Sequence, residues 1–321
     1  MDVERPGGRA EVGIMRKLAR LAALGACALV LGAASAQGLP LPDASSCPVF
    51  PADNHWNQRV DSLPVAGNSD TIIASIGRDV GLHPDFGSGL WNGSPIGIPT
   101  TVVPGSQTKT RVSFLYADES DPGPYPIPSN VKIEGGSDRH ALIVDRDNCV
   151  LYELYALAKK GKRWKAGSGA IWNLRSNALR PADWTSADAA GLPILPGLAR
   201  YDEFERGVID HALRFTVERT KREYVYPARH YASSLTDASL PPMGLRVRLR
   251  ASFDTSGFPP QARVVLKALE RYGMMVADNG SNWFITGAPD PRWSNDDLHT
   301  LGQIKGSDFE VVDTSSLQPS P

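Results

Sequence analysis

The chain has 321 residues, of which 41% are hydrophobic, 21% charged and 8% aromatic, with 30 Gly and 26 Pro. Its apolar content is sufficient for a core, which excludes an intrinsically disordered chain, and the abundance of Gly and Pro disfavours coiled coils and bundles. The 34 basic and 35 acidic residues give a net charge of −1, which argues against a nucleic-acid partner held by phosphate contacts.

The N-terminal residues have the pattern of an export signal. Residues 15–36 contain a basic start, an apolar run and small residues at 34–36. This pattern is typical of a secretory signal peptide. We therefore predict that residues 1–36 are an export signal, with Met15 as the true start, and that the protein is secreted or periplasmic. A single membrane anchor and a lipoprotein attached through Cys27 are the alternatives.

Cleavage after residue 36 leaves Cys47 and Cys149 as the two thiols of the mature chain. In an oxidising compartment such a pair is typical of a disulfide. It would close a loop of about 100 residues, which stabilises the fold by up to roughly 4–5 kcal/mol in the chain-entropy model. Two buried, unpaired cysteines are the alternative.

The remaining chain, residues 37–321, is predicted to be one globular domain that begins with an irregular segment at 37–68. Apolar periodicity and turn signals predict the later elements in chain order. These are a helix at 71–80, strands at 100–103 and 111–117, a hairpin at 140–157, a helix at 202–213, strands at 211–217, 223–233 and 244–254, a helix at 259–273, a hairpin around Asn279-Gly280 and a last strand in FEVVD. They favour a β-rich α+β fold with an antiparallel β-sandwich or jelly-roll-like core and two or three peripheral helices.

Glu153 is the first candidate catalytic residue, because it lies in the apolar run CVLYELYAL. A carboxylate in such surroundings is paired, or protonated with a raised pKa, or poised as a general acid. The three-residue turn predicted at 146–148 would place His140 near Leu154 and close to Glu153, so that the two could form an acid/base couple. Asp145 or Asp138 would be the second carboxylate of a glycosidase-type pair. A structural Glu and a structural His are the alternatives.

A second group of candidates lies in YVYPARHYAS. On the predicted strand, Tyr226 and His230 share one face, and Arg229 and Tyr231 share the other. Tyr, Arg and His side chains suit a sugar-binding cleft. In a lyase, His230 and Tyr231 would transfer protons, and Tyr226 and Arg229 would bind the substrate. A plain aromatic ladder is the alternative.

Three further features are candidates for binding. Arg246, Arg248 and Arg250 alternate along a predicted strand and could contact a polyanion such as a uronate polymer, or form a solvated face paired with acids. Trp56 and Asp85 lie in polar-aromatic loop clusters, which are typical places for substrate contacts.

The sequence predicts no cofactor. Two thiols and six scattered His residues cannot build a Cys-based zinc site. Oxygen ligands from Asp118, Glu119 and Asp121 could hold Ca²⁺, with a plain acidic loop as the alternative. No serine-hydrolase elbow, P-loop, dinucleotide fingerprint or His-Glu-x-x-His motif is present.

The stretches YADESDPGPYPIP, DRHALIVDRDNCVLYELYA, LRPADWTSADAAGLPILPGLARYDE and ARHYASS resemble a family of secreted bacterial hypothetical proteins. The resemblance implies no activity and no catalytic residues, and it supports treatment of residues 45–313 as one unit.

Together these features predict an exported carbohydrate-active enzyme that cleaves an extracellular polysaccharide, either as a glycoside hydrolase or as a uronate lyase. A non-catalytic glycan- or surface-binding protein is the second hypothesis. A hydrolase of another ester or peptide bond is the third. We expect neither a nucleic-acid partner nor a membrane contact after removal of the signal.

Overall fold

The computed structural model describes residues 38–318, so the predicted export signal lies outside the described residues. The described chain forms four α-helices and fifteen strands, and each strand has only two to six residues. Short elements are expected where Gly and Pro interrupt the apolar runs. The β-rich character is therefore confirmed. Within residues 38–318, no helix has the length and apolar content needed to span a bilayer.

The helices begin and end where local signals place them. Their bounds are Ser69–Ile76 (α1), Tyr201–Glu205 (α2), Pro260–Arg271 (α3) and Asn295–His299 (α4). Helix α3 starts with a proline and is followed by Gly273 in a left-handed conformation, as predicted. The helix predicted at 202–213 is wrong beyond α2, because Gly207 is left-handed and donates its N–H to the Phe204 carbonyl at 2.7 Å.

The largest sheet has six strands in the order β1-β14-β11-β13-β12-β15. Their bounds are His83–Asp85 (β1), Leu213–Val217 (β11), Arg246–Leu249 (β12), Met274–Asn279 (β13), Phe284–Thr286 (β14) and Phe309–Val311 (β15). The hairpin predicted around Asn279-Gly280 is wrong, because β11 lies between β13 and β14. Gly280 and Trp283 donate their N–H groups to the carbonyls of Val217 and Thr216, so the connection wraps around the end of β11.

A second sheet has four strands in the order β10-β7-β6-β4. Their bounds are Thr100–Val103 (β4), Ala141–Asp145 (β6), Val150–Leu154 (β7) and Gly169–Asn173 (β10). The predicted 140–157 hairpin is confirmed, with its register shifted by one residue: Ala141, not His140, lies opposite Leu154. The turn has four residues, 146–149, because Cys149 adopts a left-handed conformation and belongs to it. Cys149 also forms the predicted disulfide with Cys47.

Two smaller sheets complete the described fold. Val112–Phe114 (β5), Arg163–Ala166 (β9) and Ala158–Lys160 (β8) form one, and Leu90–Trp91 (β2) and Ser94–Pro95 (β3) form the other. Four strand pairs are parallel: β1 with β14, β4 with β6, β5 with β9 and β11 with β13. Three of the four sheets in the described residues are therefore mixed, and the predicted antiparallel sandwich or jelly roll is not confirmed.

The strand predicted at 223–233 is absent from the described structure. Arg229 and His230 instead donate their N–H groups to the single carbonyl of Ala190. Pro227 lacks an N–H and so cannot take part in a continuous ladder. The segment is a loop held against residues 189–190.

The N-terminal segment is fixed to the large sheet by two buried arginines. Arg246 donates to the carbonyls of His55 and Gln58, and Arg248 donates to those of Val60 and Leu63. Trp56 is fully buried in the main hydrophobic core. Arg246 therefore lies beneath this segment, and Trp56, which belongs to the segment, is buried in the core. Their predicted role in substrate binding stays a prediction.

Candidate functional site

One pocket of about 340 Å³ has seven ionisable side chains among its lining residues. This volume falls within the range of small-molecule sites. The pocket is lined by Tyr116, Glu119, Asp138, Tyr155, Ser168, Thr185, Ser186, Ala187, Asp188, Ala189, His230, Ala232, Asp278 and Asn279. Its residues come from loops and from the end of β13, and four carboxylates, one imidazole and two phenols converge in it.

The floor of the pocket is built around a buried ion pair. Asp188 is fully buried, and its two oxygens accept from Nε and Nη2 of Arg214 at 2.7 and 2.8 Å. Nη1 of Arg214 donates to Oγ1 of Thr286 on β14 at 2.7 Å. A two-point contact with a carboxylate is the strong form of this interaction. Asp188 is therefore fixed in orientation.

Asp278 lies on the other side of the same guanidinium. Its Oδ2 is 3.6 Å from Nη2 of Arg214, and its Oδ1 accepts from the N–H of Asn279 at 2.7 Å. Burial raises the pKa of Asp278 to about 7, and the negative charge of Asp188 acts in the same direction. A carboxyl group with a pKa near neutrality is suited to general acid catalysis.

A β-bulge in β13 sets the direction of Asp278. Opposite β13, Phe215 pairs with Val276 and Thr216 pairs with Asp278, so Ala277 is an extra residue. The carbonyl of Ala277 accepts the N–H of Ala190 at 2.9 Å, which ties the loop that carries Asp188 to this strand. Bulges re-aim side chains next to functional sites. Here the bulge places Asp278 beside Arg214.

His230 and Glu119 form the opposite wall. Nδ1 of His230 donates to the Ala189 carbonyl at 2.7 Å, so Nε2 faces Oε2 of Glu119 at 3.6 Å. Glu119 ends a short 3-10 turn and also accepts from the N–H of Thr185 at 3.1 Å. The prediction that His230 faces a cleft is thus consistent with its position, although it is carried by a loop and not by a strand.

His140 lies behind the pocket wall. Its Nδ1 is 2.5 Å from Oε2 of Glu134, and its Nε2 is 3.1 Å from the Ala187 carbonyl. Burial opposes the charged imidazole, but the hydrogen bond and charge of Glu134 outweigh it and raise the pKa of His140. His140 holds the loop at Ala187 and does not reach Glu153, so the predicted acid/base couple is wrong.

The Glu134–His140 pair makes stability depend on pH. The pKa of His140 is raised, so its contribution is full below the ordinary 6.5 and is lost as pH rises through the raised value. Burial acts to raise the pKa of Glu134, but the hydrogen bond and charge of His140 outweigh burial and lower this pKa. The stability that Glu134 contributes is therefore lost only as pH falls through a value below 4.5. We expect His140→Gln to flatten the fall in unfolding free energy above neutral pH, measured by urea denaturation at about pH 6 and about pH 9. Parallel curves for the variant and the wild type would contradict this.

Glu153 is buried away from the pocket lining. Its carboxylate accepts from the N–H groups of Ile194 and Leu195, each at 2.9 Å, and from Nε1 of Trp172 at 3.1 Å. Burial raises its pKa to about 7, although these donors oppose the rise. Glu153 therefore caps the start of the turn at Leu195–Gly197, and its catalytic role stays a prediction.

Glu153→Ala is therefore expected to act on stability. The substitution leaves two backbone N–H groups and an indole N–H buried without an acceptor, which costs about 1–3 kcal/mol per unsatisfied group. Urea unfolding of Glu153→Ala beside Glu153→Gln, which keeps one acceptor oxygen, measures this loss. A fully stable but inactive Glu153→Gln variant would support the catalytic assignment.

Asp138, one of the two residues predicted as the second carboxylate, lies in the pocket lining, whereas the remaining predicted residues lie outside it. Asp145 accepts from the N–H groups of Asp147 and Asn148 in the β6–β7 turn. Tyr231 stacks parallel to His230 at 5.8 Å, and Nε of Arg229 donates to the Arg180 carbonyl. Tyr226 packs edge-on against His55. Asp85 lies on the exposed face of β1, where partial desolvation raises its pKa.

The acidic loop does not gather into a cation site. Asp121 accepts from Arg180 and from the N–H of Ile171, whereas Glu119 faces Thr185 and His230. Among residues 38–318, no group of three or more His, Cys, Asp or Glu side chains is arranged to hold a metal ion.

Sequence reasoning missed Asp188, Arg214 and Asp278. One signal was available: Asp278 follows the apolar run MMVA, so a carboxylate ends a buried strand. Nothing local marked Arg214 or Asp188, because their meeting depends on a loop that folds back onto β11.

Comparison with family profiles, curated proteins and solved structures finds no match.

Proposed function

We propose that this protein is an exported glycoside hydrolase that cleaves an extracellular polysaccharide in the pocket around Asp278. The observation that carries the proposal is the environment of two carboxyl groups on either side of Arg214. Asp188 is paired through both oxygens, whereas Asp278 is partly buried with a pKa raised to about 7. Two carboxyl groups in environments that favour different pKa values are typical of acid catalysis on glycosidic bonds.

In this mechanism Asp278 donates a proton to the glycosidic oxygen. Glu119, which accepts from Thr185 and faces His230, is the second carboxylate and takes a proton from the attacking water. The phenol rings of Tyr116 and Tyr155 offer flat apolar surfaces against which sugar rings pack. Arg214 and Asp188 keep the floor of the pocket rigid.

The charge of the lining favours hydrolysis over uronate elimination. Four carboxylates line the pocket, and none of its lining residues in the described chain is Lys or Arg. Arg214, which contacts the pocket floor, is already bonded to Asp188 and Thr286. Arg180, which donates to the carbonyls of Glu119 and Thr185, is already paired with Asp121. Asp278 must be protonated to act and Asp188 is bonded to Arg214, so Glu119 and Asp138 are the lining carboxylates that would repel a uronate. No Lys or Arg among the described lining residues offsets this repulsion, so a neutral or amine-bearing glycan fits better.

The proposal is tested with purified residues 37–321 on neutral, amine-bearing and uronate polysaccharides. Reducing-end release and the ultraviolet absorbance of unsaturated uronates are followed together. Wild type is compared with Asp278→Asn and Glu119→Gln, and with Asp237→Asn, which changes an exposed carboxylate outside the pocket lining. We expect reducing ends from a neutral or amine-bearing glycan, lost in the first two variants and kept in the third.

A glycan-binding protein without catalysis is the second candidate. It is favoured by the two phenol rings in the pocket, which would retain sugars without any acid chemistry. Binding of a glycan by wild type and by Asp278→Asn alike, with no product from any substrate, would establish this function in place of the hydrolase.

A further inference from the structure

A second and much smaller cavity lies beside the buried guanidinium of Arg246, separate from the pocket described above. It has a volume of about 10 Å³, enough for one water-sized occupant. His55, Gln58, Tyr226, Arg246 and Met275 are among its lining residues.

The charge of Arg246 has no compensating carboxylate. Its Nε, Nη1 and Nη2 donate to the carbonyls of Tyr272, His55 and Gln58 at 2.7, 2.7 and 2.9 Å. Within residues 38–318 no Asp or Glu oxygen lies within 4.0 Å of it, whereas Arg248, two residues along β12, contacts Glu310 at 2.8 Å. Burial lowers the pKa of Arg246 to about 9, which reflects the cost of an unpaired internal charge.

Two further polar atoms at this cavity have no partner among the described residues. Nε2 of His55 and Oε1 of Gln58 are both buried and unbonded. Burial, aided by the charge of Arg246, lowers the pKa of His55 to about 3, so its ring is neutral and one nitrogen carries a proton. A half-turn of the Gln58 amide would direct its NH₂ group into the cavity in place of the oxygen, at the cost of the long hydrogen bond of 3.4 Å that this group now donates to the Asp53 carbonyl.

We propose that a small monovalent anion of the halide class binds between Arg246 and His55. Its negative charge compensates the guanidinium, and it accepts hydrogen bonds from Nε2–H of His55 and from the amide of Gln58. The anion would thereby secure the segment at His55–Gln58 to β12. The site is independent of the proposed hydrolase activity.

The direct test uses bromide, which scatters X-rays anomalously. Crystals of the wild-type protein grown in sodium bromide are expected to show an anomalous peak between Arg246 and His55. Density at this position without an anomalous signal would identify an ordered water and overturn the proposal.

A test in solution compares sodium chloride with sodium gluconate at equal ionic strength. We expect chloride to raise the melting temperature of the wild type saturably, by a few degrees, because an ion bound only by the folded state stabilises it. Arg246→Met should lose this response, and Arg248→Met, which removes a paired arginine of the same strand, should keep it. Equal melting temperatures of the wild type in both salts would contradict the site even if Arg246→Met does not fold.

Discussion

Asp278→Asn is expected to lower kcat by about 10²–10⁴-fold, the usual contribution of a general acid. The substitution keeps the shape of the side chain and removes its transferable proton. The measurement is the rate of reducing-end release from the best glycan of the substrate panel. A variant that retains wild-type kcat would remove Asp278 from the mechanism.

The same substitution should also change the pH dependence of stability. A variant that gains stability and loses activity at the same pH would distinguish a catalytic Asp278 from a structural one. The pKa of Asp278 is raised from 3.8 to about 7, chiefly by burial. The stability associated with its bound proton is full below the ordinary pKa and is lost as pH rises through about 7. The asparagine side chain carries no charge at any pH, so Asp278→Asn should be more stable than wild type above neutrality while being inactive.

The wild-type pH profile follows from the same group. A general acid must be protonated to act, so kcat should fall as pH rises through about 7. A kcat that is flat through this range would show that a different group, or no group, supplies the proton.

Arg214→Met is expected to destabilise the fold by about 3–5 kcal/mol, the cost of breaking a buried ion pair on one side. Asp188 would remain fully buried without a counter-charge, and Thr286 would lose its donor. Asp278 would also lose the cation that opposes its pKa rise. Urea unfolding at neutral pH measures the change.

Two control variants make this result specific. Arg250→Met removes an arginine that is partly exposed and bound to Glu310, and it should cost no more than about 1 kcal/mol. Adding Asp188→Asn to Arg214→Met should recover part of the lost stability, because it removes the unpaired charge. Additive losses in the double variant would indicate that the two side chains do not interact as described.

The parts of the fold that could be predicted from the sequence are those set by local signals. The β6–β7 hairpin and helix α3 depend on turn residues and caps that lie within or beside each element. The disulfide is the exception, because it joins residues 102 apart and is predicted from the pair of cysteines in the mature chain. The hairpin register is displaced by one residue because Cys149 belongs to the turn, which sequence periodicity does not show.

The parts that could not be predicted depend on long-range pairing. Asn279-Gly280 is a strong hairpin signal, yet β13 and β14 both pair with β11, which lies well before them in the chain. The same pairing brings Arg214 to Asp278. A site assembled by an inserted strand and a bulge therefore leaves no spacing pattern that can be read from the chain.

Burial explains the remaining differences between prediction and structure. Alternation correctly grouped Arg246 and Arg248 on one face of β12, but could not show that residues 55–63 cover that face. Likewise Glu153 was rightly marked as a carboxylate in apolar surroundings, and its partners proved to be backbone N–H groups.

The order of the large sheet also bears on how the chain acquires its structure during synthesis. The central strand β11 is synthesised well before its two neighbours, β13 and β14, which lie within residues 274–286. Strand β1 pairs with β14, which is about 200 residues further along the chain. Such high contact order slows folding, because the entropy of closing long loops is lost before the strand pairs can stabilise the chain. The nascent chain therefore carries apolar strands with unpaired edges until almost all of it has emerged, and a chain cut before Met274 has nothing with which to complete the sheet.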